Sequence, residues 1–268
     1  MDNKLVSIVM PMHNCERFVG ESIESVLAQT YPDWELLIVD DCSKDASVSI
    51  VREYMEKDPR VRLFENETNK GAAESRNYAL REAKGKWIAF LDSDDLWYPE
   101  KLEKQIRFME EKGVHFSYTQ YVEMDEGGDP LPTLMTGPKK IGRCKMKCYN
   151  FLGCLTVMYD AEQVGLVQIP DLKKRNDYAM WLKAVKKAPC YLLPEVLATY
   201  RVRTSGSITN RGQSKWALVK HHYRLFRVSE KKNPISAAFY TGGNMVFHVY
   251  KKFRYRKKRP LPQAEREN

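Results

Sequence analysis

An α/β fold, with a mostly parallel central sheet and helices on both faces, is the class the sequence predicts. Three observations predict it. Short apolar runs alternate with amphipathic segments through the first 113 residues, in the order βαβαβαβα. Polar clusters follow three of the four apolar runs, where ligands meet such sheets. With 268 residues, 43% hydrophobic and 29% charged, the chain has ample apolar surface for a core, which excludes disorder as its main state.

The elements follow in order. Leu5 to Pro11 reads as the first strand. Residues 16–30 place Phe18, Val19, Ile23, Val26 and Leu27 at helical spacing, and Pro32 ends that helix. Trp34 to Asp40 is a second buried strand. Residues 46–57 read as a helix, Val61 to Glu65 as a third strand, and residues 72–84 as a helix stopped near Gly85. Trp87 to Leu91 is the fourth strand, and Pro99 suits the first turn of a helix that ends near Gly113. Then the alternation fails. Val114 to Met124 reads as a strand, Asp125 to Pro130 as a turn, and residues 130–150 as an irregular basic connection. Phe151 to Tyr159 fits a strand, and Asp177 to Lys187 an amphipathic helix with Trp181 and Val185 on its apolar side. Residues 214–230 repeat Trp216, Val219, Tyr223 and Phe226 at helical spacing. Residues 233–250 contain no Lys, Arg, Asp or Glu, but Pro234 and Gly242-Gly243 interrupt them, so an interfacial or core helix is expected rather than a span.

The formal net charge of +9 is unevenly placed. Residues 211–268 hold 15 basic residues against three acidic ones, whereas residues 1–210 hold 29 against 32. This division suggests a main domain over residues 1–210 and a helical, basic segment over residues 211–268. The run Lys251 to Arg259, with aromatics interleaved, suits an anionic membrane surface; a disordered solubilising end is the alternative. Nucleic acid is not the expected partner, because the positive charge is not spread over a folded face. Leu5 to Met12 is too short for a membrane span and lacks a signal-peptide cleavage pattern, so a cytoplasmic protein, peripheral on the inner face of the membrane, is expected. Of six cysteines, Cys144 and Cys148 are four apart with no second pair to complete a zinc set, so reduced thiols are expected.

The polar clusters carry the chemistry. The first strand ends at Pro11-Met12-His13-Asn14, the second at Asp40-Asp41-Cys42-Ser43 and the fourth at Asp92-Ser93-Asp94-Asp95. One such cluster is an ordinary turn or helix cap; three at one sheet edge point to a ligand. Neither G-x-G-x-x-G nor G-x-x-x-x-G-K-[ST] occurs, which argues against an NAD enzyme or a P-loop NTPase. Asp92-x-Asp94 offers closely spaced hard oxygen ligands for Mn²⁺ or Mg²⁺ together with substrate phosphates. Asn69 to Asn77 opens a helix at Gly71 with Arg76 one turn in, and both features favour phosphate, although an Arg on a helix is often only a solvated charge.

These residues carry a family resemblance. Ser7-Ile-Val-Met-Pro-Met-His-Asn, Ser25-Val-Leu-Ala-Gln-Thr-Tyr, Glu35-Leu-Leu-Ile-Val-Asp-Asp-Cys-Ser, Asn69-x-Gly-x-x-x-x-Arg-Asn77 and Phe90-Leu-Asp-Ser-Asp-Asp-Leu-Trp resemble the family 2 glycosyltransferases. Gly153 to Asp160, Arg175 to Leu182 and Tyr200 to Ile208 extend it to enzymes of capsule-type and teichuronic-acid-type polysaccharides, so that it covers roughly residues 5–210. The resemblance implies a GT-A fold, a nucleotide-sugar donor (most often a UDP-sugar) and a glycan or lipid-linked saccharide acceptor. It implies that Pro11, His13 and Asn14 line a nucleotide pocket, with Asp41 accepting from uracil, Asp40 beside it, and Arg76 near the base or phosphates. Asp92 and Asp94 would orient ribose and metal–diphosphate, with Asp95 an alternative metal contact. Asp177 matches the general base, although Asn176 stands where the family often has Glu.

One base and a single displacement would invert the anomeric centre. Arg201 or Arg203 would help to neutralise the leaving diphosphate, with Arg201 favoured. Asp177 also reads as a helix N-cap, and Trp97 and Trp181 fit either sugar stacking or the core. A catalytically silent nucleotide-sugar-binding module and a nucleic-acid binder using the basic tail are the competing readings.

Overall fold

The computed structural model describes residues 4–169, 172, 174–203 and 215–259. In chain order the elements begin with β1 (Val6–Met12), α1 (Val19–Leu27), β2 (Trp34–Asp40), α2 (Ser47–Lys57), β3 (Val61–Glu65), α3 (Ala72–Glu82), β4 (Trp87–Phe90), β5 (Leu96–Trp97) and α4 (Lys101–Lys112). There follow β6 (Phe116–Met124), β7 (Pro130–Met135), β8 (Lys140–Ile141), α5 (Arg143–Cys148), β9 (Val157–Asp160), α6 (Ala161–Val164) and α7 (Asn176–Ala184). The chain continues with β10 (Cys190–Arg201), α8 (Lys215–Arg224), a π-helical turn (Leu225–Ser229), α9 (Pro234–Arg254) and β11 (Arg256–Lys258).

The sheet runs in the order β11-β7-β6-β9-β4-β1-β2-β3, with β10 pairing β5, β6 and β8. β1 lies between β2 and β4, parallel to both, and β2 is parallel to β3. The expected parallel sheet is therefore the first half of the structure. Beyond it, β9 runs antiparallel to β4 and β6, and β7 antiparallel to β6 and β11.

Alternation along the buried strands builds two cores. Val9, Leu37, Val39, Ile88 and Phe90 face one side and meet α3 and α7. Ile8, Met10, Leu36, Ile38 and Ala89 face the other and meet α1, Val51 of α2, and α4. Helix ends follow local chemistry: Gly113 closes α4 in the left-handed conformation, with φ of 59°. Trp97 and Trp181 are both core residues. The Trp97 indole N–H donates to the Leu155 carbonyl, and Trp181 meets Phe90 edge-on with centroids 5.2 Å apart. Under α4, the buried Lys101 ammonium donates to Gln105 Oε1, whose amide donates on to Ser117 and the Thr156 carbonyl.

The later chain departs from the expectations. Residues 130–150 are not irregular, since they form β7, β8 and α5. Within Phe151 to Tyr159 the strand begins only at Val157, after a single 3₁₀ turn. α9 runs unbroken through Gly242-Gly243, and Pro234 sits in its first turn, where its missing N–H costs nothing. The basic run is in part a strand, since Arg256–Lys258 pairs with β7. Leu225, Phe226 and Ala237 belong to the same core cluster as Val9 and Phe90. All six cysteines are free. Among the described residues no helix is long and apolar enough to cross a membrane.

Two stability predictions follow from packing. A Cβ at Gly85 would lie 2.6 Å from both the Leu5 carbonyl oxygen and the Ser7 nitrogen, so Gly85→Ala should cost about 1–3 kcal/mol in urea unfolding. Gly242, inside a helix with no atom within 4 Å of such a Cβ, should gain about 0.5–1 kcal/mol as Gly242→Ala. Burial also lowers the Lys101 pKa from 10.5 to about 7. Between these values the unfolded chain holds a proton the native state lacks, so this contribution to stability rises with pH, by up to about 1.4 kcal/mol per unit. Wild type should accordingly gain on Lys101→Met in unfolding free energy as pH is raised from neutrality.

Candidate active site

The carboxyl ends of β1, β2 and β4 meet where the strand order reverses, at β1. A cavity of about 290 Å³ opens there, lined by Pro11, His13, Asp41, Asn69, Gly71, Ser75, Arg76, Asp92, Asp94, Tyr200 and Arg203 among others. Asp41 builds one wall. Its backbone N–H donates to the Met12 carbonyl at 2.8 Å, tying β2 to β1. Its carboxylate accepts from the Lys70 N–H at 2.8 Å, the Gly71 N–H at 2.7 Å and the Asn66 amide at 3.0 Å. Gly71, with φ of 85°, takes a backbone shape that side chains resist, and α3 starts at the next residue. The positive end of α3 therefore faces the cavity.

Arg76, one turn into α3, is buried and donates to Asp92 Oδ1 at 2.5 Å and to Asn176 Oδ1 at 3.4 Å. Burial alone would lower its pKa; the Asp92 charge outweighs that and raises it. Arg203 donates to Asp94 Oδ2 at 3.3 Å. Both arginines keep a buried Nε–H without a partner among the described residues. Burial, and then the neighbouring Asp92, push the Asp94 carboxyl above the usual carboxylate range. A polar cavity with two crowded carboxylates and two donors to spare suits an anion and a cation together.

The predicted residues divide into two groups, apart from Asp177, which is not among the cavity's lining residues. Pro11, His13, Asp41, Arg76, Asp92 and Asp94 are brought together on the cavity. Asn14, Asp40, Asp95 and Arg201 are not among its lining residues, and each has a structural task instead. Asp40 accepts from the Ser43 N–H and hydroxyl, closing a turn. Asn14, with φ of 46°, accepts from the Lys44 N–H and pins the same loop. Asp95 is fully buried and accepts from the Arg201 N–H at 2.9 Å; burial and its acidic neighbours raise its pKa well above the usual range. Arg201, favoured over Arg203 from the sequence, is a buried clamp. It donates to Glu21, the Asp94 carbonyl and the Glu126 carbonyl, and its guanidinium lies 4.8 Å from the Phe18 ring centroid.

Asp177 is the second residue of α7. It is not the N-cap, a place taken by Arg175 in the left-handed conformation, and its carboxylate accepts from the Asn150 amide at 3.1 Å. Around it lies a cluster the sequence did not signal. Tyr149 hydrogen-bonds His248 of α9 at 3.2 Å, and the Lys251 ammonium sits 5.1 Å from the Tyr149 ring centroid. Burial, then Arg175, lowers the Lys251 pKa to about 8. Tyr200, Asn69 and Ser75 were also missed as cavity residues. The Tyr200 to Ile208 resemblance held Tyr200, but residues 204–208 of it lie outside the described residues.

Comparisons with known proteins show the family and the fold. Residues 7–155 match the model of glycosyl transferase family 2, and the chain belongs to that family. It is a glycosyltransferase. A Bacillus subtilis (strain 168) protein named as a teichuronic acid biosynthesis glycosyltransferase, TuaG, is 39% identical over 236 residues, covering 88% of this chain and 92% of the relative. The Escherichia coli UDP-Glc:alpha-D-GlcNAc-diphosphoundecaprenol beta-1,3-glucosyltransferase WfgD is 42% identical over 186 residues, covering 69% of this chain and 72% of that one. In fold, the chain resembles the S. aureus TarS 1–349 structure in complex with UDP-GlcNAc, with a TM-score of 0.70, 22% identity, and 93% and 72% of the two chains covered. The sheet and its flanking helices are thus those of a GT-A fold.

If Arg201 is a clamp and Arg203 a cavity residue, stability separates them. Arg201→Met should cost about 2–4 kcal/mol of unfolding free energy, because Glu21 and two carbonyls lose a buried donor. Arg203→Met should cost less than Arg201→Met, because it removes the Asp94 contact at 3.3 Å and neither of those carbonyl bonds, while weakening ligand binding.

Proposed function

We propose that this chain moves a sugar from a UDP-sugar to a hydroxyl of a lipid-linked saccharide, with inversion, during synthesis of a surface polysaccharide. The observation that carries the reading is the convergence of Asp41, Asp92, Asp94, Arg76 and Arg203 on one cavity at the end of a parallel sheet. The donor and acceptor classes follow those named for the Escherichia coli relative, a UDP-glucose donor and a diphosphoundecaprenol-linked acceptor. Residues 1–210 are the glycosyltransferase domain, and the segment over residues 211–268, whose described part holds α8, α9 and β11, keeps it at the cytoplasmic face of the membrane.

Each group has a physical task. Asp41 has three donors on its two oxygens, which leaves acceptor capacity for a base N–H. The start of α3 and the unpaired Nε–H groups of Arg76 and Arg203 favour the diphosphate. Asp92 and Asp94 would hold Mn²⁺ or Mg²⁺; the donor set fits, since a cation would offset the burial and the Asp92 charge that raise the Asp94 pKa. When bound, the ion neutralises charge on the departing nucleoside diphosphate. Asp177 takes the proton of the acceptor hydroxyl as it attacks, and Asn150 holds the carboxylate in place. One carboxylate acting once gives an inverted product, whereas retention through a covalent intermediate needs a second nearby.

Purified protein should turn over a UDP-sugar with Mn²⁺ or Mg²⁺, and EDTA or Asp94→Ala should abolish that turnover. Asp177→Asn should lower kcat by about 10²–10⁴-fold with UDP affinity within about twofold of wild type. Transfer at the wild-type rate by that variant would remove Asp177 from the role of base.

A further inference from the structure

α9 has two faces of opposite character. Its inner face carries Ala237, Thr241, Asn244 and His248, of which Asn244 donates to the Lys147 carbonyl and His248 meets Tyr149. Its outer face carries Ile235, Phe239, Val246, Val249 and Phe253, which are 84%, 76%, 68%, 55% and 86% exposed. At about 100° per residue these five fall within an arc of about 80°, a continuous apolar stripe along a 21-residue helix. Beside it, α8 presents Trp216, which is 83% exposed and lines a groove with Tyr223, Gly242 and Met245.

The charge around this stripe is of one sign. Lys220, Arg224, Arg227 and Lys231 are exposed on or after α8, and Arg254 and Arg256 to Arg259 lie at the far end of α9. Between residues 215 and 259 the sole acid is Glu230, and Lys186 pairs with it at 2.6 Å. No helix among the described residues can cross a membrane. An apolar face without charge, rimmed by cations and too amphipathic to insert across a bilayer, fits the interface of an anionic one.

We infer that α9, with Trp216 of α8, lies in the plane of an anionic lipid surface, its stripe among the acyl chains and its cations at the headgroups. The contact differs from the one expected of the basic run alone, because Arg256–Lys258 is engaged as an edge strand and the apolar stripe supplies the insertion. It also gives the proposed lipid-linked acceptor a route, since the opposite face of the same helix brings His248 and Lys251 to the Asp177 neighbourhood. The inference deepens the proposed function, but lipid contact is measured without donor or acceptor, so an inactive enzyme would not affect the outcome.

The test is co-sedimentation of the full chain with vesicles of phosphatidylglycerol and phosphatidylcholine, against phosphatidylcholine alone. The other four of the five tryptophans, Trp34, Trp87, Trp97 and Trp181, are buried, so a blue shift of emission on binding reports Trp216. Wild type should bind the anionic vesicles with that shift, and the double variant Phe239→Ser, Phe253→Ser should bind at least about tenfold more weakly. Both residues are exposed, and an unchanged melting temperature would show that the variant is folded. Equal binding by wild type and variant, or no binding by wild type, would overturn the inference. So would a concentration-dependent dimer that the variant abolishes in the absence of lipid, because the stripe would then be an interface between copies.

Discussion

The active-site end of this fold depends on the carboxylate of Asp41. It stands one residue past β2, and its own N–H holds the end of β1. Its oxygens hold Lys70 and Gly71, and so fix where α3 begins. That start sets the position of Arg76, and Arg76 sets Asp92 at the end of β4. Three strand ends and one helix are thus registered through one residue, by its N–H and its carboxylate. A residue without a carboxylate at position 41 would remove the acceptor shared by the Lys70 and Gly71 N–H groups and the buried Asn66 amide, and the error would reach Asp92 through α3.

Charge within the cavity is balanced on a narrow margin. Asp92, Asp94 and Asp95 crowd one turn, and burial raises the pKa of both Asp94 and Asp95. Arg76 and Arg203 answer two of the three from the cavity walls, and Arg201 answers Asp95 through its backbone. Phe18 supports this arrangement from below with its ring, 4.8 Å from Arg201 and 5.1 Å from Arg203. The arginines are held by stacking as well as by ion pairs, which leaves part of their hydrogen-bonding capacity for a ligand.

The first 113 residues were legible because β1, β2 and β4 are buried on both faces and read as largely apolar runs. The later half was harder for particular reasons. β10 contains Pro194 and Glu195, and its pairing with β6 shifts register between Leu193 and Val196, so neither alternation nor composition marks it as one strand. β7 carries Pro130 and Pro132, which argue against a strand that has partners on both sides. Arg201 and Arg203 share the same parity, so period-two reasoning cannot separate them. The separation arises because β10 ends at Arg201, after which the chain no longer follows the pleat. From sequence Asp95 is an alternative to Asp94 as a metal contact; the Arg201 peptide, brought in by β10, engages Asp95 as the fully buried one.

α9 shows how one segment can meet two requirements. A helix packed on the protein along one face, with the proposed lipid contact along the other, has little room for charge except at its ends. Residues 233–250 have that composition, with cations only before and after. From sequence, Gly242-Gly243 looked like a break, because glycine weakens an isolated helix. Here the inner face contributes Ala237 to the main core and the outer face leaves Gly242 unobstructed, so tertiary packing outweighs the propensity. The same packing carries Lys251 into a half-buried place beside Tyr149. A cation counted from sequence as part of a surface run thus becomes part of the wall around Asp177, where burial and Arg175 lower its affinity for a proton.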